Sequence, residues 1–235
     1  MQLISTNQLE IKESLQKIPI FEKFPTSAMV EMMEEIYLKR FTNGEAIFWE
    51  DEPGAGLHIV ERGRVRLSKT SVSGRVLILK ILLPGSTFNE ASVFDGGSNP
   101  VSAMALDESD VWVISAPALR QTIRRHPELA EAFLVRLSRA VREMVTKVEE
   151  TAFLSVNHRM ARLIEELFNQ PASGAAHNYT QEELAALLGT VREVAARALR
   201  DLARSGAIQN RRRQISITNP ELLHCWARGI TPDEK

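Results

Sequence analysis

The 235 residues include 29 basic and 30 acidic side chains, and 44% of them are hydrophobic. That is enough chain for two modest domains with separate cores, and the composition excludes a disordered or collagen-like protein. The lone Cys225 excludes an internal disulfide framework and a four-thiolate iron–sulfur site; with no secretory signal and no apolar run near the roughly 20 residues of a membrane span, a cytoplasmic protein is expected.

Residues 7–37 read as helical. Leu9, Leu15, Ile18 and Phe21 recur at near-helical spacing, Pro19 and Pro25 punctuate, and Met29, Met32, Met33 and Ile36 form a second stripe of core filler. From Leu38 to about Ser115 the period becomes two. Short strands are predicted at 46–49, 57–60, 65–67, 76–82 and 111–114, separated by turn-forming pairs such as Asn43-Gly44, Arg62-Gly63 and Ser73-Gly74. Many short strands at regular spacing predict a small β-sandwich or barrel.

A long helix is predicted from Ala116 or Pro127 to Phe153. Within it Ala130, Leu134, Leu137, Val141, Met144, Val148 and Thr151 alternate spacings of four and three, with Arg136, Arg139, Arg142 and Lys147 off the seam. That heptad pattern favours a coiled coil between two copies over a helix laid on its own domain. Residues 153–157 read as a hinge in which Asn157 caps the next helix, whose buried face is Met160, Leu163, Ile164, Leu167 and Phe168; residues 171–177 are a small-residue loop.

The stretch from Tyr179 to Ile208 predicts two short helices joined by a tight turn. Thr180 with Glu183 forms a capping box, Leu184, Leu187 and Leu188 make an apolar stripe, and Gly189 can end the helix in the left-handed conformation. Thr190 with Glu193 repeats the capping box, which would start the second helix one residue later. Ala185, Ala195 and Ala198 are small where the helices cross, Leu199 and Leu202 continue the buried face, and Ser205-Gly206 terminates it. This is a helix-turn-helix, whose second helix enters the DNA major groove. Arg192, Glu193 and Arg197 stand near its N-terminus, where arginine can grip guanine through two hydrogen bonds and a carboxylate can accept from cytosine. Residues 190–215 hold seven arginines against Glu193 and Asp201, the local excess of positive charge that phosphate contact needs. Ala207-Ile208 and residues 214–218 alternate like a hairpin wing with Arg211, Arg212 and Arg213 at its tip. Thr180, Arg200 and Arg211 to Arg213 are the candidate phosphate contacts.

Arg192-Glu193 and Arg197 behind Leu188-Gly189 resemble the CRP/FNR family of bacterial transcription regulators. The resemblance covers nearly the whole chain. It implies an α+β protein: N-terminal helices and a β-roll sensor like a cyclic-nucleotide-binding domain (1–115), a long dimerisation helix and hinge (116–155), and a C-terminal winged helix-turn-helix (156–235). It further implies a homodimer that reads TGTGA-like half-sites in double-stranded DNA, with RNA polymerase as a partner. Val191 and Val194 stand where the family often has Ser or Thr. The glycines at 44, 54, 63, 74 and 85 resemble the spacing of the family's eight-stranded roll, and residues 84–105 fall where it keeps a phosphate-binding cassette. Phe88, Glu90, Phe94 and Gly97 match that cassette, with Glu90 where cyclic-nucleotide binders hold the ribose hydroxyl. Pro100 and Val101 replace the phosphate-binding arginine and serine, and Asn89 replaces a glycine. Met144 and Val145 replace the hydroxyls that meet adenine.

Phe88, Asn89, Glu90, Val101, Met144 and Val145 are therefore the expected effector pocket, with Val93, Phe94 and Met104 as further wall and cyclic AMP disfavoured for want of a guanidinium to offset its phosphate. The alternatives are a haem-based sensor of the same fold with His58 or another histidine as axial ligand, a DNA-binding protein without a small ligand, and, well behind, a cupin-type metalloenzyme. The five histidines (58, 126, 158, 177, 224) lack metal-ligand spacing, and there is no nucleophile–base pair, paired-carboxylate motif or P-loop, so neither a metal site nor an enzyme is expected.

Overall fold

A computed structural model describes the chain except residues 1, 5–7, 17, 19, 23, 34, 170–178, 212–213 and 231–235. It divides into two compact units, residues 1–69 with 79–141 and residues 70–78 with 142–235. The elements of the first part are β1 (Gln2–Ile4), α1 (Gln8–Gln16), α2 (Thr26–Met33), β2 (Ile36–Phe41), β3 (Ala46–Phe48), β4 (Leu57–Arg62), β5 (Val65–Thr70), β6 (Val76–Leu82), β7 (Thr87–Phe88), α3 (Glu90–Asp95), β8 (Ser102–Ala105), β9 (Ser109–Ile114) and α4 (Ala116–Arg125). They form a five-stranded sheet in the order β1-β2-β9-β4-β7 and a four-stranded sheet in the order β3-β8-β5-β6. Strands β2 to β9 are the eight that the family pattern implies; β1 adds a short edge that the sequence did not signal.

Period-two alternation divides the core. Leu57, Ile59, Trp112 and Ile114 pack against the helices with Leu15, Phe21, Met29 and Met32, whereas Val60, Phe88 and Val111 face the second sheet with Phe48, Val65 and Ala103. Register is pinned at one spot by charge. Asp110 lies opposite Arg40 and Arg62 on the two flanking strands; Arg40 grips it with two bonds of 2.7 and 3.0 Å and Arg62 adds one of 3.1 Å. Burial alone pushes the Asp110 carboxyl up, but the hydrogen bonds and charges of Arg40 and Arg62 outweigh it and hold it below the usual carboxylate range.

One sequence expectation is corrected here. Ile36 opens strand β2 instead of closing a helical stripe, because α2 ends at Met33. Of the two starts expected for the long helix, Ala116 and Pro127, the second holds: α4 stops at Arg125 and α5 (Leu129–Phe153) begins just beyond Pro127, which lacks an N–H and whose ring clashes with the turn before it. Residues 84–105 hold β7, α3 and β8, and their buried side chains go two ways: Phe88 joins the inter-sheet core and Val93 the helical core, while the more exposed Phe94 lies edge-on to Phe133 of α5 at 5.1 Å.

The second part contains α6 (Val156–Asn169), α7 (Gln181–Leu188), α8 (Arg192–Arg204), the two-stranded wing β10 (Ile208–Arg211) and β11 (Gln214–Ile217), and α9 (Pro220–Ala227). Its core joins Met160 and Ile164, Leu184 and Leu188, Ala198 and Leu202, Ile208 and Ile215, and Leu223. Ser155, not Asn157, caps α6 by accepting from the His158 N–H; Asn157 instead donates to Asp201 of α8 at 3.3 Å. The Asn219-Pro220 pair starts α9, with the Asn219 side chain accepting from the Leu222 N–H.

His58 sits inside the inter-sheet core, its ring 5.1 Å from both Phe48 and Phe88, and its Nδ1–H donates to the Gly56 carbonyl at 3.0 Å. Burial drives its pKa down to about 4, against the upward pull of that carbonyl, and Lys39 adds to the fall. Between pH 6.5 and 4 the unfolded chain therefore binds a proton that the native state refuses, so stability present above pH 6.5 is lost as the pH falls. Urea unfolding of the roll should show His58 alone removing about 2 kcal/mol between pH 7 and pH 5. A His58→Gln variant should lack that component; an unchanged pH slope would mean His58 is not neutral in the native core.

Candidate nucleic-acid interface

The predicted helix-turn-helix forms, and its geometry follows from caps at each end. Thr180 Oγ1 accepts from the Glu183 N–H at 3.1 Å while Glu183 Oε2 accepts from the Thr180 N–H at 2.7 Å, a complete capping box. At the other end Gly189 takes φ 63°, with Gly189 N–H bonding Ala186 O and Thr190 N–H bonding Ala185 O. This is a Schellman closure, and it places Thr190 in the turn that ends α7. The second capping box expected from Thr190 and Glu193 accordingly does not form. Val191 is the N-cap of α8, without a side-chain cap bond, and the helix starts at Arg192.

One face of α8 is consumed by packing. Ala195, Ala198, Leu199 and Leu202 are at most 2% exposed and, with Ala185 and Leu188, fill the junction of the two helices, where alanine lets the backbones approach. Arg192, Glu193, Arg197 and Arg200 are left exposed on the rest of the helix. Among the described residues the ion pair formed there joins Arg192 Nη1 to Glu182 Oε1 of α7 at 3.2 Å, not Glu193 to Arg197. Arg159 of α6 supports the turn from behind, donating to the Leu188 carbonyl at 3.0 Å. Tyr179, Thr180, Glu182, Arg192 and Asn210 border a cleft of about 230 Å³ between the start of α7, α8 and the wing. Arg211 is exposed at the end of β10; Arg212, Arg213 and the expected loop at 171–177 lie outside the described residues.

The expected effector residues are divided between the two units. Phe88, Asn89 and Glu90 are buried in the roll and Val101 is half-buried before β8, but Met144 and Val145 belong to the C-terminal unit and are 56% and 61% exposed. Asn89 has a left-handed backbone, with φ 69°, which Asn tolerates better than most side chains. Its amide donates to Gly56 O and to the Asn99 side chain. The inference that the roll offers no guanidinium is corrected. Arg136 of α5, missed because it lies off the heptad seam, reaches Glu90 at 3.5 Å and donates to the Thr87 carbonyl, while Thr87 Oγ1 donates to Glu90 at 2.6 Å. Among the described residues no group of three His, Cys, Asp or Glu side chains could hold a metal, and His58 is spent as core packing.

The arrangement is that of known regulators. Residues 38–126 match the cyclic nucleotide-binding domain family, and residues 158–226 match the Crp-like helix-turn-helix domain. The chain is 32% identical over 222 residues to a CRP-like cAMP-activated global transcriptional regulator of Mycobacterium tuberculosis, covering 92% of this chain and 99% of the relative. It is 28% identical to the cyclic AMP receptor protein of Thermus thermophilus, over 90% of this chain and 98% of that one. The c-di-GMP-responsive regulator CLP of Xanthomonas campestris has the same fold, with a TM-score of 0.72 at 22% identity across 82% of this chain and 99% of that one. The protein belongs to the CRP/FNR family of transcription regulators, with a Crp-like helix-turn-helix that binds DNA.

Because Thr180 closes both halves of the capping box, Thr180→Ala should cost α7 about 1 kcal/mol. Amide exchange in α7 should accelerate about fivefold, the rate equivalent of that energy. Unchanged protection would show that tertiary packing, not the cap, holds this helix end.

Proposed function

We propose that the protein is a homodimeric regulator that reads a two-fold-symmetric site with TGTGA-like half-sites, using Arg192, Glu193 and Arg197 for bases. Thr180, Arg200 and Arg211 to Arg213 contact phosphates in this reading. The observation that carries it is the division of α8: the alanine and leucine face is buried and the Arg–Glu–Arg face is turned out to solvent. RNA polymerase as a partner and a cytoplasmic location rest on the family likeness; among the described residues no helix is long and apolar enough to cross a membrane.

The dimer is supported by α5. Leu134, Val141, Met144 and Val148 are 56–63% exposed along one seam, and Leu137 is half-buried, while Leu129 and Phe133 on another face enter the chain's own core. Thr151 ends the seam with its hydroxyl bonded back to the Lys147 carbonyl. An unpartnered apolar stripe of this length is what a two-stranded coiled coil covers. Met144→Asp would bury like charges across the two-fold axis and cost several kcal/mol. Sedimentation should then show monomer and operator binding should collapse. A variant still dimeric at micromolar concentration, or wild-type footprints without two half-sites about 34 Å apart, would overturn this reading.

Two relatives carry cyclic AMP in their names, but this chain departs from cyclic-nucleotide recognition at the atoms that matter. The Glu90 carboxylate is already held by Thr87 and Arg136, Pro100 has no N–H to give, and Val101 offers no side-chain donor. A phosphate would have to take Arg136 from Glu90 and leave a buried carboxylate unpaired. The effector in this reading is not a cyclic nucleotide. Isothermal titration with cyclic AMP and cyclic GMP should show no micromolar binding; such binding, coupled to tighter operator affinity, would refute it.

A further inference from the structure

The start of α7 carries two acids with different duties. Glu183 is consumed by the capping box, whereas Glu182 extends to Arg192 at 3.2 Å, with the two side chains 62% and 61% exposed. An ion pair this exposed contributes at most about 1 kcal/mol to stability, so holding the fold together is not where its main effect lies. Its position is more informative. Both residues border the cleft at the DNA-facing end of the helix pair, beside Thr180 and Asn210.

We infer that Glu182 is a specificity-determining, positioning residue for the base-reading Arg192; this rests on the reading of α8 given above. Arginine has five N–H donors in a rigid fork, and a bidentate grip on guanine uses two of them. The ion pair engages Nη1 and leaves the Nε and Nη2 edge for a base, so the carboxylate can hold the guanidinium while it meets one. A preset orientation restricts an otherwise flexible side chain before binding, which sharpens discrimination at the base pair that Arg192 reads. The same carboxylate faces a duplex with one phosphate charge per roughly 1.7 Å, and it penalises any docking that rests on the backbone alone. Both effects raise the ratio of specific to non-specific affinity. The neutral amide of glutamine in its place loses the charge and weakens the hold on Arg192.

The test is fluorescence anisotropy of the full-length protein on three duplexes: the cognate site, the cognate site changed at single base pairs, and a random sequence. Arg192→Ala should relax preference at one base pair. Glu182→Gln should relax the same base pair by about two- to fivefold, the range of an exposed ion pair. It should also tighten binding to random duplex by about two- to fivefold and steepen the salt slope by up to about one unit. In the Arg192→Ala background Glu182→Gln should leave base preference unmoved while still tightening random binding. A Glu182→Gln protein with wild-type base preference overturns the inference, as does one that relaxes a base pair indifferent to Arg192→Ala. If Arg192→Ala itself leaves all preferences intact, the base-reading assignment of α8 fails, and that outcome is distinct from a failure of Glu182 alone. Unchanged circular dichroism in each variant separates these results from misfolding.

Discussion

The close crossing of α7 and α8 governs the DNA-binding half of the molecule. Ala185 on one helix and Ala195 and Ala198 on the other let the backbones approach, and Leu184, Leu188, Leu199 and Leu202 fill the space around them. Once those side chains are buried, helical geometry leaves the arginine face of α8 no place but solvent. The Schellman turn at Gly189 sets where α8 can begin, because the Thr190 N–H is already bonded to the Ala185 carbonyl. The exposed Arg192, Glu193 and Arg197 are thus placed by apolar packing and backbone hydrogen bonds a few residues away, and α6 reinforces the arrangement through Arg159 and Asn157.

The helix α5 divides its faces. Its first turns give Leu129 and Phe133 to the core of the roll and Arg136 to Glu90, while Leu134, Val141, Met144 and Val148 remain exposed. A helix has room for both because residues three and four apart share a face while intervening ones point elsewhere. The Arg136–Glu90–Thr87 cluster neutralises the one buried carboxylate that the phosphate-cassette pattern retained. The carboxylate kept from the cassette pattern is therefore already engaged from within by α5.

Much was legible in the sequence because the signals were local. The period-two stretches and turn glycines predicted five strands of the roll, β3, β4, β5, β6 and β9, and the Thr180–Glu183 capping box, Gly189 and the leucine stripe predicted the helix-turn-helix. Short polar-start elements were harder: β1 is three residues and takes its stability from pairing with β2, and α3 hides in a loop-like run of Ser, Asn and Gly. The Thr190–Glu193 motif is a true sequence pattern that lost to a competitor. A backbone closure at the end of α7 claimed the residue that the capping box needed.

What the sequence determined by itself is the kind of architecture: a run of short strands, an apolar heptad seam and a winged helix-turn-helix, since each rests on propensity and periodicity within a few residues; the roll came from the family resemblance. Only the tertiary structure decided which charges meet. Arg136 and Glu90 are 46 residues apart in the chain yet 3.5 Å apart in space, Asp110 gathers Arg40 and Arg62 from two other strands, and Glu182 is paired with Arg192 across the helix junction. Composition and spacing record which side chains are present on an element. The pairing of a side chain with one far along the chain depends on strand register and helix crossing, and those are set by packing between elements.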